Sequence, residues 1–270
     1  MKKYLKLIAA VMLAAVFVAE PDCLAGKRDK SLKKHEYCQE YAFSGVRSIV
    51  VKSESSKIYK NRLTGEIDVR LIQSKDERVV VYVKRKADVD VFKIEKIGNT
   101  LKLNAGDKAV KTLEAMERPE AVVEVYTRNI SNIEMGGAND LSAKGYFTGK
   151  SLHLNIYGAS DLENLSGKWS DVDIKASGAS EIELRQIEVN SVDVKCSGAS
   201  EVKLSGQART MKLSVSGSSD VDAEDLAVMD VDADLSGASD VKVNVSGTLK
   251  YKTTGSSDIE WTGSPRVITK

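Results

Sequence analysis

The sequence predicts an all-β chain wound into a solenoid with coils of about 20 residues. Three observations predict it. A tetrapeptide recurs seven times in the second half, as GAND, GASD, GASE, GASE, GSSD, GASD and GSSD. Its leading glycines are Gly137, Gly158, Gly178, Gly198, Gly217, Gly237 and Gly255, spaced 21, 20, 20, 19, 20 and 18 residues apart. Apolar residues stand four before and four after every one of them, from Ile133 and Leu141 through Tyr251 and Ile259. Apolar and polar residues alternate between these points, which is the pattern of a strand with one face buried.

Each unit therefore reads as strand, tight Gly-Ala/Ser-Ser-acid turn, strand, short return. Glycine supplies the backbone freedom a sharp turn needs, and Ser, Asn and Asp bond their local backbone there. Wound as one coil per unit, equivalent strands lie parallel, ~4.8 Å apart, and their inward side chains form apolar columns. A run of antiparallel hairpins shares the alternation, but would not require like residues at every tip.

Taken in order, residues 1–25 have the form of a signal peptide. Lys2, Lys3 and Lys6 precede an apolar run from Leu7 to Ala19, and small residues stand near Cys23-Leu24-Ala25. Removing them takes three lysines and two acids from 40 basic and 39 acidic residues, so the remainder is electrically balanced. That balance gives no general pull toward nucleic acid, and no later stretch is apolar enough to span a bilayer. Residues 26–42 form a basic leader without periodicity. Residues 43–270 read as one domain, irregular over 43–130 and regular over 131–262.

In the irregular half, Ile67, Val69 and Leu71 alternate with charged residues. Val79 to Val83 is a nearly continuous apolar run, as in a strand buried on both faces. Gly98-Asn99 marks a hairpin before Leu101 and Leu103. Residues 105–120 break the pattern and suit a loop or a short helix ending before Pro119. At the far end Trp261 takes an inward position, where a large ring could close the open stack. Cys196 also points inward, which argues against a Cys38–Cys196 disulfide.

The chain resembles the bacterial putative auto-transporter adhesin, head GIN domain family. The likeness rests on the signal peptide, the FSGV element at Phe43–Val46, GNTLKL at Gly98–Leu103 and the repeated turns through Gly255. It covers roughly residues 43–265. It implies a right-handed β-helix-like fold and a role in adhesion, and brings no catalytic or binding residues with it.

The acids closing the turns are Asp140, Asp161, Glu181, Glu201, Asp220, Asp240 and Asp258. Stacked coils bring them into one row, where like charges ~5 Å apart repel by about 0.8 kcal/mol per pair even in water. Turn amides and outward lysines such as Lys203 and Lys242 are the local remedy. A ladder of Ca²⁺ ions is the sharper alternative, since hard cations take oxygen ligands; the absent nonapeptide β-roll pattern argues against it. The Ser/Asn column, Asn139 to Ser257, reads as a hydrogen-bond ladder. The only histidines are His35 and His153, with no acid–His–Ser spacing around them and no four-ligand zinc set. The expectation is thus no enzyme activity and no cofactor. A glycan or surface protein is the expected partner, with Tyr146, Tyr157 and Trp169 as sugar-stacking candidates. A self-associating envelope scaffold is the alternative, and a polysaccharide-active enzyme is the third, resting on shape alone.

Overall fold

The computed structural model describes residues 32, 37–53, 62–64, 66–85, 88, 91–109 and 120–270. The expected signal peptide over 1–25, most of the basic leader, and residues 110–119 lie outside the described residues.

The predicted coils are present, and each has three β sides rather than two. In one coil the first side is Ser151–Gly158. The chain turns at the glycine corner into the strand Asp161–Lys168. That strand bends at Asn164, whose φ is 60°, and its pairing register shifts between Leu162 and Leu165. The part after the bend is the third side. Equivalent bends fall at Gln186 (φ 52°) and Gly206 (φ 126°). What the sequence suggested was a short return is therefore paired β-structure, with Ile187 opposite Gly206 and Gly206 opposite Leu226. The misreading has a physical cause: a three-residue side holds too little alternation to declare itself.

Successive coils stack parallel and in register. Gly137, Gly158, Gly178 and Gly198 stand directly opposite one another. At the corners the next residue's amide donates to the glycine carbonyl of the coil before, as from Ala159 to Gly137 (2.8 Å), Ala179 to Gly158 (2.7 Å) and Ser256 to Gly237 (2.7 Å). The seven corner glycines all have positive φ, between 78° and 103°. The inner Ser/Asn column is buried from Asn139 to Ser239. From Ser180 onward each hydroxyl caps its own turn: Ser180 Oγ donates to the Ser177 carbonyl at 3.0 Å, and Ser200 to Ser197 at 3.1 Å. The expected ladder is present in part: the Asn139 amide donates to Ser160 Oγ at 3.3 Å and the Ser200 amide to Ser219 Oγ at 3.4 Å, joining one coil to the next.

The interior is a continuous apolar column. Leu152, Leu154, Ile156, Leu162 and Leu165 are all at most 1% exposed, and the coils above and below repeat the pattern. A buried aliphatic side chain contributes ~1.5–3 kcal/mol, so every coil depends on its neighbours for cover. Cys196 sits in this column, and burial pushes its thiol up to about 12; Cys38 and Cys196 are not joined in a disulfide.

The irregular half joins the same stack out of sequence order. The strand Ser48–Ser53 pairs parallel with Asn132–Gly137 on one edge and with Thr100–Ala105 on the other. Likewise Glu66–Gln73 lies between Asp140–Lys144 and Glu120–Thr127. The coil built from 48–73 is therefore inserted between the later coil 100–127 and the first regular one. Both of these coils have long corners where the regular ones have four residues, and the two corners meet: Arg62–Thr64 pairs antiparallel with Asp107–Ala109. The 105–120 segment is thus matched by a second insertion, and its start is a strand.

Antiparallel strands close this end. Phe92–Ile97 forms the predicted hairpin with Thr100–Ala105, turning at Gly98 (φ 58°). Arg78–Val83 pairs with Glu120–Thr127, and Tyr37–Tyr41 pairs with Arg78–Val83. The expected two-sided burial of Val79–Val83 holds: Val79, Val81 and Val83 face the main core, while Val80 and Tyr82 join Leu32 and Val122 in a second cluster. The leader expectation is corrected here. Its last residues form a strand, and Leu32 is packed at 3% exposure. At the opposite end, Trp261 packs tilted against Tyr251 (5.9 Å between ring centres) but remains 40% exposed. It does not close the stack.

Candidate functional site

The sides differ in what they show to solvent. On the second sides the predicted acidic row exists, and Asp68 extends it: Asp140 stands between Asp68 and Asp161, followed by Glu181, Glu201 and Asp220. Asp68 was not legible because its coil lacks the tetrapeptide. Offsets are local and uneven. Lys203 lies 2.8 Å from Glu181 and 2.9 Å from Glu201, and both carboxylates hold its ammonium pKa above the usual lysine value. Asp161 accepts one amide bond, from Glu181 at 3.1 Å. Among the described residues no three His, Cys, Asp or Glu side chains converge as a metal site.

Asp140 lacks such help. Partial burial and then the charges of Asp161, Asp68, Glu66 and Glu163 raise its carboxyl pKa above the ordinary aspartate value. A carboxyl that holds its proton more tightly folded than unfolded loses stability as pH rises from the ordinary aspartate range through the raised value; above that the penalty is constant. Asp140→Asn is therefore expected to raise the melting temperature at neutral pH, with the gain vanishing on acidification through that window. Thermal denaturation across a pH series checks it, and a variant less stable at neutral pH would contradict it.

The outer surface of the first sides carries two polar columns. Ser151, Asp171, Ser191, Thr210, Asp230 and Thr248 form one. His153, Asp173, Asp193, Lys212, Asp232 and Lys250 form the other in the same registers. A shallow groove of about 740 Å³ runs over both. Its polar groups are held in place: Ser191 Oγ donates to Asp171 at 2.6 Å, the Thr248 amide donates to Asp230 at 2.9 Å, and His153 Nδ1 lies 2.7 Å from Asp173. Asp193 Oδ1 is shielded from solvent beneath the groove and has no hydrogen-bond partner among the described residues. A contiguous hollow of about 450 Å³ shares His153, Asp173 and Asp193. None of these acids was singled out from the sequence. The signal was available, because residues one glycine interval apart, such as 153 and 173, stand side by side.

The three aromatic candidates do not form one patch. Trp169 is 2% exposed and occupies space left by neighbouring glycines: a Cβ on Gly149 would come within 2.9 Å of its ring, and one on Gly167 within 2.5 Å. That burial corrects its reading as a sugar-stacking residue. Tyr146 lies on a third side, its hydroxyl donating to Glu188 at 3.1 Å. Tyr157 shares the outer face of the first sides with the groove, where its ring covers Gly136.

The profile of the putative auto-transporter adhesin, head GIN domain family matches residues 60–265. The chain belongs to that family. Solved structures share the fold at low identity. A putative lipid binding protein from Parabacteroides distasonis is 19% identical, with a TM-score of 0.70 over 86% of this chain and 92% of that one. Two putative adhesins follow, from Parabacteroides merdae (15% identical, TM-score 0.65, 87% and 95% covered) and Parabacteroides distasonis (17%, 0.63, 87% and 96%). No curated protein matches the sequence. No helix among the described residues is long and apolar enough to cross a membrane.

Proposed function

We propose that this member of the adhesin-head family is an exported, non-enzymatic binding module that holds an extended, hydroxyl-rich polymer, a glycan, along the outer surface of its first sides. One observation carries the reading. The groove repeats the same kinds of polar group at every coil, so a linear ligand lying along the stack meets a hydroxyl or carboxylate every ~4.8 Å. Asp173 and Asp193 add side-by-side carboxylates to the second column, and ligand hydroxyls can donate to them. Tyr157 adds an aromatic ring on the same face. Family membership supports an adhesive role, and the basic, apolar start of the sequence supports export.

Catalysis has less support. The His153–Asp173 pair is about half exposed on an open face, and among the described residues no hydroxyl bonds His153. A dry, enclosed environment, where such groups act most strongly, is missing there.

Glycan-array screening of the purified chain tests the proposal. Binding to one class of polysaccharide is expected, weakened about tenfold by Asp193→Ala with the melting temperature retained. Release of sugar from a bound polysaccharide, or glycan binding indifferent to substitutions at Asp173 and Asp193, would overturn it.

A further inference from the structure

The two ends of the stack are finished differently. At the amino-terminal end, antiparallel strands cover the last parallel coil, and Phe92 is 8% exposed. At the other end, Asp258–Gly263 and Arg266–Thr269 each pair, among the described residues, only with the strand Asp240–Gly255 beneath. Their outer backbone edges are open. Such regular parallel edges are templates for further pairing unless a proline, bulge or cover blunts them. Here Pro265 falls between the two strands, not within either.

The exposed apolar surface collects at the same place. Trp261 and Val267 stand in register with Val243 and Leu249, which are 1% and 0% exposed, yet they are themselves 40% and 42% exposed. They are core positions that no further coil covers among the described residues. The charges flanking them are separated by strand. Asp258 and Glu260 are exposed on one strand and Arg266 on the other. Lys270 is held by Asp232 and Asp234.

We propose that this end binds the same end of a second copy, as a closed two-fold dimer. A two-fold axis perpendicular to the stack lays the Asp258–Gly263 edge of one copy antiparallel against the Arg266–Thr269 edge of the other, and the reverse. Acidic edge then meets basic edge twice, Trp261 and Val267 are covered, and the open backbone groups pair. The contact is self-complementary and uses one end only, so assembly stops at two. The inference goes beyond the glycan-binding reading and does not depend on it: it rests on the outer edges of the last two strands, one of which lies against Thr248 and Lys250 at the end of the groove.

The test is sedimentation equilibrium on the purified chain, with and without residues 1–25, over a wide concentration range. A monomer–dimer equilibrium is expected. Arg266→Glu should weaken it at least about tenfold, as should Asp258→Lys with Glu260→Lys. Combining all three substitutions in one chain should restore the dimer, because both edges are then reversed together. Ile97→Glu, at the covered end, should leave it unchanged, and circular dichroism should show every variant folded. Folded monomer at all concentrations, growth into filaments, a dimer lost with Ile97→Glu, or a charge-reversed triple variant that stays monomeric would each overturn the proposal.

Discussion

Replacing Gly198 by valine should destabilise the protein on the order of 3–5 kcal/mol, the sum of two costs. Gly198 has φ 88°, a conformation that a β-branched residue adopts only under strain. Its added Cβ would also lie 2.6 Å from the Gly178 carbonyl oxygen, the acceptor of the Ala199 amide at 2.7 Å. The substitution therefore strains one coil and pushes it off the one below. Gly98 is the control. Its φ is also positive at 58°, but no atom lies within 4 Å of an added Cβ. Gly98→Ala should cost only about 1 kcal/mol, from backbone strain alone. Urea denaturation of both variants checks the pair. Equal losses would mean that the corners need glycine for its backbone and not for the approach of neighbouring coils.

Phe147→Ala should cost about 3–5 kcal/mol, among the largest losses of any single core truncation. Phe147 is fully buried on a third side, opposite Gly167 in the pairing register. The ring has no flexible neighbour to replace it, because Trp169 is already wedged over Gly149 and Gly167. Phe147→Leu keeps most of the volume and should cost less than about 1.5 kcal/mol. Chemical denaturation measures both, and a Phe147→Ala variant within about 1 kcal/mol of the parent would show that the third side packs loosely.

Much of this architecture was legible because the period of the sequence is the period of the stack. Glycine spacing alone gives the register, and with it the row from Asp140 to Asp258 and the inward place of Cys196. Legibility failed where length or order carries no periodic signal. Third sides such as Tyr146–Thr148 are three residues long, too short to alternate visibly. The insertion of 48–73 between two later coils is a long-range pairing, and local propensity says nothing about it. Tyr37–Tyr41 forms because a hydrogen-bonding edge is offered by Arg78–Val83, a cause outside its own residues. Trp169 was misread as a surface ring because its cover depends on glycines two and twenty residues away. The groove's residues are ordinary Ser, Asp and Thr, and only stacking makes them a surface. The turn acids drew attention by repetition, although repetition reports the turn, not a ligand.

The central claim is that one coil lies directly on the next at the strand spacing. Distances between spin labels at Asn155 and, in turn, Ser214, Asp234 and Lys252 test it most directly, since these outward positions share one column three, four and five coils apart. Pulsed electron paramagnetic resonance should give backbone separations of about 14, 19 and 24 Å, rising by ~4.8 Å per coil. Separations that fail to rise in equal steps, or that fall between Asp234 and Lys252, would contradict the stacked solenoid.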